Sequence, residues 1–151
     1  MLKVGAPAPD FALPAADGTM VKLSDCLASG PVLLYFYPAD FTAGCTREAC
    51  DLRDIHGELA AAGLRVLGVS PQDADSHGRF ADQHHLPFTL LADPGREVIK
   101  LYGVAGPFGL GVRRVTHLIG TDGIIADVLC ADVAIGRHAE FAARAAATMH
   151  R

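Results

Sequence analysis

The sequence predicts a single α/β domain over 1–151, a mixed β-sheet with helices on both faces. Three observations predict it. Two short, continuous apolar runs read as strands covered on both sides, a helical pattern lies between them, and the pattern turns to an antiparallel hairpin near the carboxyl end. Half of the 151 residues are apolar, 20% are charged, the mean hydropathy is +0.26 and the formal charge is −4. That composition can bury a core and is unlike that of a disordered chain. The acidic balance argues against a nucleic-acid partner. No run nears the roughly 18 apolar residues of a membrane span, and Pro7, Pro9 and Asp10 stand where a signal peptide needs an apolar stretch. The expectation is a cytoplasmic protein with no membrane partner.

The elements follow in order. Met1 to about Met20 mixes isolated apolar residues with prolines and an Asp17-Gly18 turn, which predicts extended pieces and a hairpin tip. Pro31 to Tyr37 is a buried strand closed by Pro38. From Cys45, the positions Ala49, Leu52, Ile55 and Leu59 fall three and four apart, predicting a helix that Gly63 stops. Leu64 to Ser70 is a second buried strand, so the crossover makes the two strands parallel. Asp73 to about His85 forms a helix and Phe88 to Ala92 a strand. Asp93-Pro94 supplies an N-cap and a first-position proline for a helix reaching Tyr102. Arg114 to Ile119 and Ile124 to Cys130 flank the Thr121-Asp122-Gly123 turn, and Arg137 to Met149 is a last helix. There is no internal repeat and no linker. The sum is a three-layer sandwich of thioredoxin-like type.

Four cysteines without the spacing of a small disulfide framework fit a reducing compartment. Cys45 falls in the first turn of the first long helix, at the carboxyl end of a central strand, where α/β folds place their sites. Free backbone N–H groups and the positive end of the helix dipole favour thiolate over thiol there. Thr42 can cap that helix or hydrogen-bond the sulfur. Cys50 lies five residues on, so on an intact helix the two Cα atoms stand roughly 8.6 Å apart on different faces. A disulfide tolerates up to about 7 Å, so bonding the pair requires local unwinding. Cys26, in an expected loop, and Cys130, in a strand, read as structural thiols.

Gly5-Ala6-Pro7-Ala8-Pro9-Asp10-Phe11, Tyr35-Phe36-Tyr37-Pro38 through Cys45-Thr46-Arg47-Glu48-Ala49-Cys50, Gly68-Val69-Ser70, Ser76-His77, Leu86-Pro87-Phe88, Leu91-Ala92-Asp93, Tyr102-Gly103-Val104 and Arg114-Val115-Thr116 together resemble the peroxiredoxins of the bacterioferritin-comigratory-protein, or peroxiredoxin Q, subgroup. The resemblance covers nearly the whole chain. It implies an atypical two-cysteine thiol peroxidase acting on hydrogen peroxide or alkyl hydroperoxides. Cys45 is then the peroxidatic cysteine, with Pro38, Thr42 and Arg114 completing its pocket, Glu48 matching the motif's glutamate and Cys50 the resolving cysteine. It further implies recycling of a Cys45–Cys50 disulfide by thioredoxin or a similar dithiol. Neither a metal nor an organic cofactor is required. The acidic single domain fits a monomer or a weak homodimer.

Three departures stand out. Ala43 replaces the proline usual before Gly44-Cys45, which removes a rigid turn at the helix start. His117 and Gly120 replace an aromatic residue and an aspartate. The stretch from Gly103 to Gly111 replaces a longer, more charged one; no strand-to-helix context makes it a nucleotide loop, and Phe108 and Leu110 are expected to wall the pocket or form a contact patch. Two other function classes compete. One is a metal-binding or redox-sensing module using Cys45, Cys50, His77, His84 and His85, against which the cysteine spacing and an expected exposed histidine run both argue. The other is a thiol–disulfide oxidoreductase or holdase on the same fold, separated from a peroxidase by peroxide dependence.

Overall fold

The computed structural model describes residues 1–149, so the last two positions of the expected domain lie outside the described residues. A five-stranded sheet forms the middle layer, built from β3 (Val32–Phe36), β4 (Arg65–Ser70), β5 (Thr89–Ala92), β6 (Val115–Ile119) and β7 (Ile125–Cys130), in the spatial order β5-β4-β3-β6-β7. β3, β4 and β5 run parallel, whereas β6 and β7 pair antiparallel. A separate hairpin, β1 (Ala12–Pro14) with β2 (Met20–Lys22), turns at Asp17-Gly18 as expected.

Strand periodicity divides the core. Val32, Leu34 and Phe36 of β3 face α1 (Leu23–Leu27) and α4 (Glu97–Leu101). Leu33, Tyr35 and Tyr37 face α2 (Ala43–Ala61), α3 (Ala74–His84) and α5 (Gly136–Met149). β3 is buried on both faces, which is why it reads as an unbroken apolar run. Gly68 sits opposite Tyr35, and a Cβ there would stand 2.8 Å from that ring, so the glycine makes room for the Tyr35 side chain.

Three local expectations change. The Leu23–Leu27 stretch is a short helix, and it holds buried Cys26 instead of leaving it in a loop. Asp93 does not begin the next helix: α4 starts at Glu97 after Arg96 in the left-handed region (φ 58°), and the Asp93 carboxylate accepts the Glu97 and Ile99 N–H groups at 3.1 and 2.8 Å from outside the helix. A one-turn 3-10 helix, Pro107–Gly109, lies in the Gly103–Gly111 stretch. At the expected helix from Asp73, by contrast, Asp73 caps α3 by accepting from the Ser76 N–H at 2.8 Å. No helix among the described residues is long and apolar enough to cross a membrane.

Candidate active site

Helix α2 begins two residues before Cys45, so the thiol sits in the first turn as expected, with Thr42 at the N-cap position and the Thr46 N–H donating to the Thr42 carbonyl at 2.9 Å. The Thr42 hydroxyl departs from expectation. It makes no cap bond and donates instead to the Ala39 carbonyl at 2.8 Å, closing the turn that leads into the helix. Cys45 is only 1% exposed. Its partner comes from beside the neighbouring strand, where Arg114 lies just ahead of β6.

Arg114 Nη1 approaches Cys45 Sγ to 3.3 Å and donates to Glu48 Oε1 at 2.8 Å. Gly44 permits this approach, since a Cβ there would stand 3.1 Å from Arg114 Nη2 and 2.8 Å from Ile135 Cδ1. The Arg114 backbone N–H donates to Asp132 Oδ1 at 2.9 Å, and Asp132 also pairs with Arg113 at 2.8 Å. Arg113 thus takes the solvated pair while Arg114 turns inward.

Glu48 lies past the first turn of α2, so its position serves the contact with Arg114 and not the helix dipole. Burial pushes its carboxyl up to about 7 even though Arg114 pulls the other way. Burial opposes the charge on Arg114 as well, but Glu48 and Cys45 together hold the guanidinium above its ordinary value. Glu48 Oε2 is buried without a hydrogen-bond partner and lies 3.5 Å from His138 Nδ1.

The loop between β3 and α2 is pinned by a second buried group. Asp40 accepts from the Tyr37 hydroxyl at 2.6 Å and from Ser76 Oγ at 2.8 Å, and its Oδ2 lies 2.6 Å from His77 Nδ1. Burial alone would raise the Asp40 carboxyl, yet the bonds from His77 and Tyr37 hold it below the usual range. His77 Nε2 faces the Leu91 carbonyl at 3.0 Å. His77 is therefore buried in α3 and not part of an exposed run, and both its ring nitrogens are engaged within the fold, which counts against the metal-module reading.

Cys50 is half-buried and free, with Sγ 3.9 Å from His84 Nδ1. It lies on an unbroken α2, five positions along the helix from Cys45. Cys130 is half-buried on β7 with Arg113 Nη2 3.0 Å from its sulfur. A cavity of about 510 Å³ runs between Pro38, Pro107, Leu110, Val112, Arg114 and Asp132. Leu110 is on its wall, whereas Phe108 is fully exposed and does not line it.

Several residues here escape sequence reading. Asp40 and His77 lie 37 positions apart, and Thr116 and His138 22 apart. No local period links such pairs; Ser76 and Thr116 enter the sequence reading only through the resemblance, and His77 besides that only as a ligand of the competing metal-module reading.

A family model described as the AhpC/TSA family matches residues 4–128. A putative peroxiredoxin bcp of Coxiella burnetii is 44% identical over 133 residues, covering 84% of this chain and 87% of that protein. The chain belongs to the peroxiredoxins of the AhpC/TSA family. Peroxiredoxin Bcp of Bacillus subtilis is 40% identical, covering 81% of each chain. The crystal structure of peroxidoxin BcpB from Mycobacterium tuberculosis superposes with a TM-score of 0.91 at 35% identity over 98% of both chains. A structure of the Xanthomonas campestris bacterioferritin comigratory protein, described for its alkyl peroxide reduction, matches at a TM-score of 0.86 and 27% identity, covering 100% of this chain and 99% of that one. The fold is thus thioredoxin-like, and as a peroxiredoxin this chain is a thiol-dependent peroxidase.

Proposed function

We propose that this peroxiredoxin reduces hydrogen peroxide and organic hydroperoxides at Cys45, resolves the product with Cys50 and is recycled by thioredoxin or a similar dithiol. The observation that carries the reading is the Arg114 guanidinium 3.3 Å from a buried sulfur in the first turn of α2. A fixed cation and free helix N–H groups favour the thiolate, and the same cation can hold a peroxide in line. The thiolate attacks one peroxide oxygen; an S–O bond forms as the O–O bond breaks, and the leaving oxygen departs with the bonding pair and is protonated to water or alcohol. Pro38, which shares the cavity with Arg114, narrows the approach and limits water. Thr42 closes the turn into α2 through the Ala39 carbonyl, and rotation of its hydroxyl would free it for a bound oxygen.

Cys50 then displaces hydroxide from the Cys45 sulfenic acid, which leaves as water, and a dithiol reduces the resulting disulfide. Because α2 is continuous, this step requires the turns that carry the two cysteines to unwind. The cavity's apolar Pro107, Leu110 and Val112 suit the alkyl part of an organic hydroperoxide.

The test is peroxide consumption by wild type, Cys45→Ser and Cys50→Ser with thioredoxin and its reductase. The reading expects Cys45→Ser to be inactive and Cys50→Ser to complete one fast turnover without recycling. Peroxide loss no faster than with free thiol, or an active Cys45→Ser, would overturn it.

A further inference from the structure

His138, on α5, is absent from the chemistry above, yet it is 1% exposed and faces the one buried Glu48 oxygen that lacks a partner. Its Nε2 lies 2.9 Å from the Ala131 carbonyl, an acceptor only, so Nε2 carries a proton and donates it there. Its Nδ1 is 2.7 Å from Thr116 Oγ1 and 3.5 Å from Glu48 Oε2. With His138 neutral and Glu48 ionised, two lone pairs confront each other across that 3.5 Å gap. One added proton removes the conflict: on Oε2 it is donated to Nδ1, and on Nδ1 it is donated to Oε2.

We infer that His138 is a positioning residue of the peroxidase site, sharing one proton with Glu48 so that Arg114 is left to the Cys45 thiolate. The inference rests on the Cys45 reading above and extends it to α5. Arg114 Nη1 serves both Cys45 and Glu48. When Glu48 is neutral, the thiolate is the main anion opposing the guanidinium; when Glu48 ionises, it competes for the same nitrogen. Burial raises Glu48 and lowers His138, which places the shared proton mainly on the carboxyl oxygen. The other charged or titratable groups felt at this pair are Arg114, Asp132 and Arg137 around His138, and Arg114, Asp51 and buried Tyr35 around Glu48. None of these is within hydrogen-bonding reach of Oε2.

The prediction is directional. His138→Gln can turn its amide to donate to an ionised Glu48, which neutral His138 cannot do, so the proton is lost at lower pH. Thr116→Val removes the hydroxyl that satisfies Nδ1 when the proton is absent, so the proton is held to higher pH. The single-turnover rate of peroxide loss by reduced protein is measured against pH for wild type and both variants, with the infrared band of a protonated carboxyl, assigned by its loss in Glu48→Gln, as the second readout. The expected result is an alkaline limb and carboxyl band that move down in His138→Gln and up in Thr116→Val. A displacement of about half a unit gives about a threefold rate change on that limb. A merely structural role lowers the rate at every pH and leaves limb and band in place. Profiles that superimpose on wild type overturn the inference; should His138→Gln fail to fold, an unmoved limb in Thr116→Val does so alone. Cys45→Ser run alongside separates the two readings, because turnover persisting in that variant defeats the site assignment itself, whereas its loss with unmoved limbs defeats only the role of His138.

Discussion

Arg114 Nη1 stands 3.3 Å from Cys45 Sγ, a contact made between the start of α2 and the approach to β6 by residues 69 positions apart, both buried from solvent. In so dry a site a fixed positive charge acts far more strongly than in water. The planar guanidinium serves the sulfur and the Glu48 carboxyl from one nitrogen, and on the proposed function its other donors are what an incoming peroxide would meet.

Arg114→Lys keeps the charge but loses the fork, and one ammonium cannot occupy all of these positions. The expected result is a fall of about 10²-fold in the rate of the first peroxide turnover, the usual effect of losing a donor aimed at developing charge. Quenched-flow peroxide loss measures it. A rate within threefold of wild type would show that charge alone suffices.

His117 produces a pH effect on stability. It is wholly buried between Phe36 and Tyr102, edge-on at centroid distances of 5.6 and 5.4 Å, and neither ring nitrogen has a partner. Burial lowers its value to about 4, against 6.5 for the free side chain. The folded state therefore binds fewer protons than the unfolded chain between those values, so stability is complete above pH 6.5 and drains away as pH falls toward 4. A difference of that size amounts to about 3 kcal/mol at the acid end. His117→Phe removes the titration and keeps an aromatic in the same slot. Urea melts from pH 7 to pH 4 should show the variant losing less stability than wild type by an amount of that order; parallel losses would contradict it.

Much of this architecture is legible in the chain, for identifiable reasons. β3 and β4 announce themselves because burial on both faces leaves no polar interruption from Val32 to Phe36 or from Val66 to Val69. Leu23–Leu27 is too short to display a helical period, so Cys26 was expected in a loop. Asp93 is not the N-cap of the next helix; its side chain accepts from the Glu97 and Ile99 N–H groups from a turn that Arg96 completes in a left-handed conformation, and propensity places no such break. At the site, Cys45 can be derived from its place between strand and helix. Arg114 cannot be told from Arg113 by local pattern, and its role came only with the resemblance. The Asp40–His77 and Glu48–His138 pairs arise when separate elements pack, so neither is visible before the fold is known.

On the proposed resolving role of Cys50, the start of α2 should set how readily the two cysteines meet. Ala43 is the first residue of α2, and Thr42 before it has φ −79° and ψ 150°, a conformation compatible with a following proline. Proline is favoured at the first helical position because its fixed φ suits the helix and the N–H it lacks has no helical partner. Ala43→Pro should therefore stabilise the reduced protein by about 0.5 kcal/mol through loss of unfolded-chain entropy. It should also slow formation of the Cys45–Cys50 disulfide, because the turn that must unwind has become stiffer. Mass-resolved alkylation of free thiols after one equivalent of peroxide follows that step. A higher melting temperature with unchanged disulfide kinetics would mean that the first turn does not limit unwinding.

The apolar loop supplies the last prediction, and it separates two residues that the sequence treats alike. Arg96 Nη2 holds the loop by donating to the Gly109 and Gly111 carbonyls at 3.0 and 2.5 Å, which fixes Leu110 on the cavity wall while Phe108, at φ 57°, stays in solvent. An alkyl chain entering beside Arg114 would bury area against Leu110 but none against Phe108. At about 25 cal/mol per Å², trimming Leu110 to alanine should weaken the grip on a bulky hydroperoxide by about 1 kcal/mol, several-fold in KM, with hydrogen peroxide unaffected because it has no alkyl group to lose. Phe108→Ala should leave both substrates unchanged. Steady-state kinetics with cumene hydroperoxide and hydrogen peroxide distinguish the cases: a Leu110→Ala enzyme that loses nothing selectively would place the alkyl group elsewhere, and a selective loss in Phe108→Ala would require the loop to fold over the bound substrate.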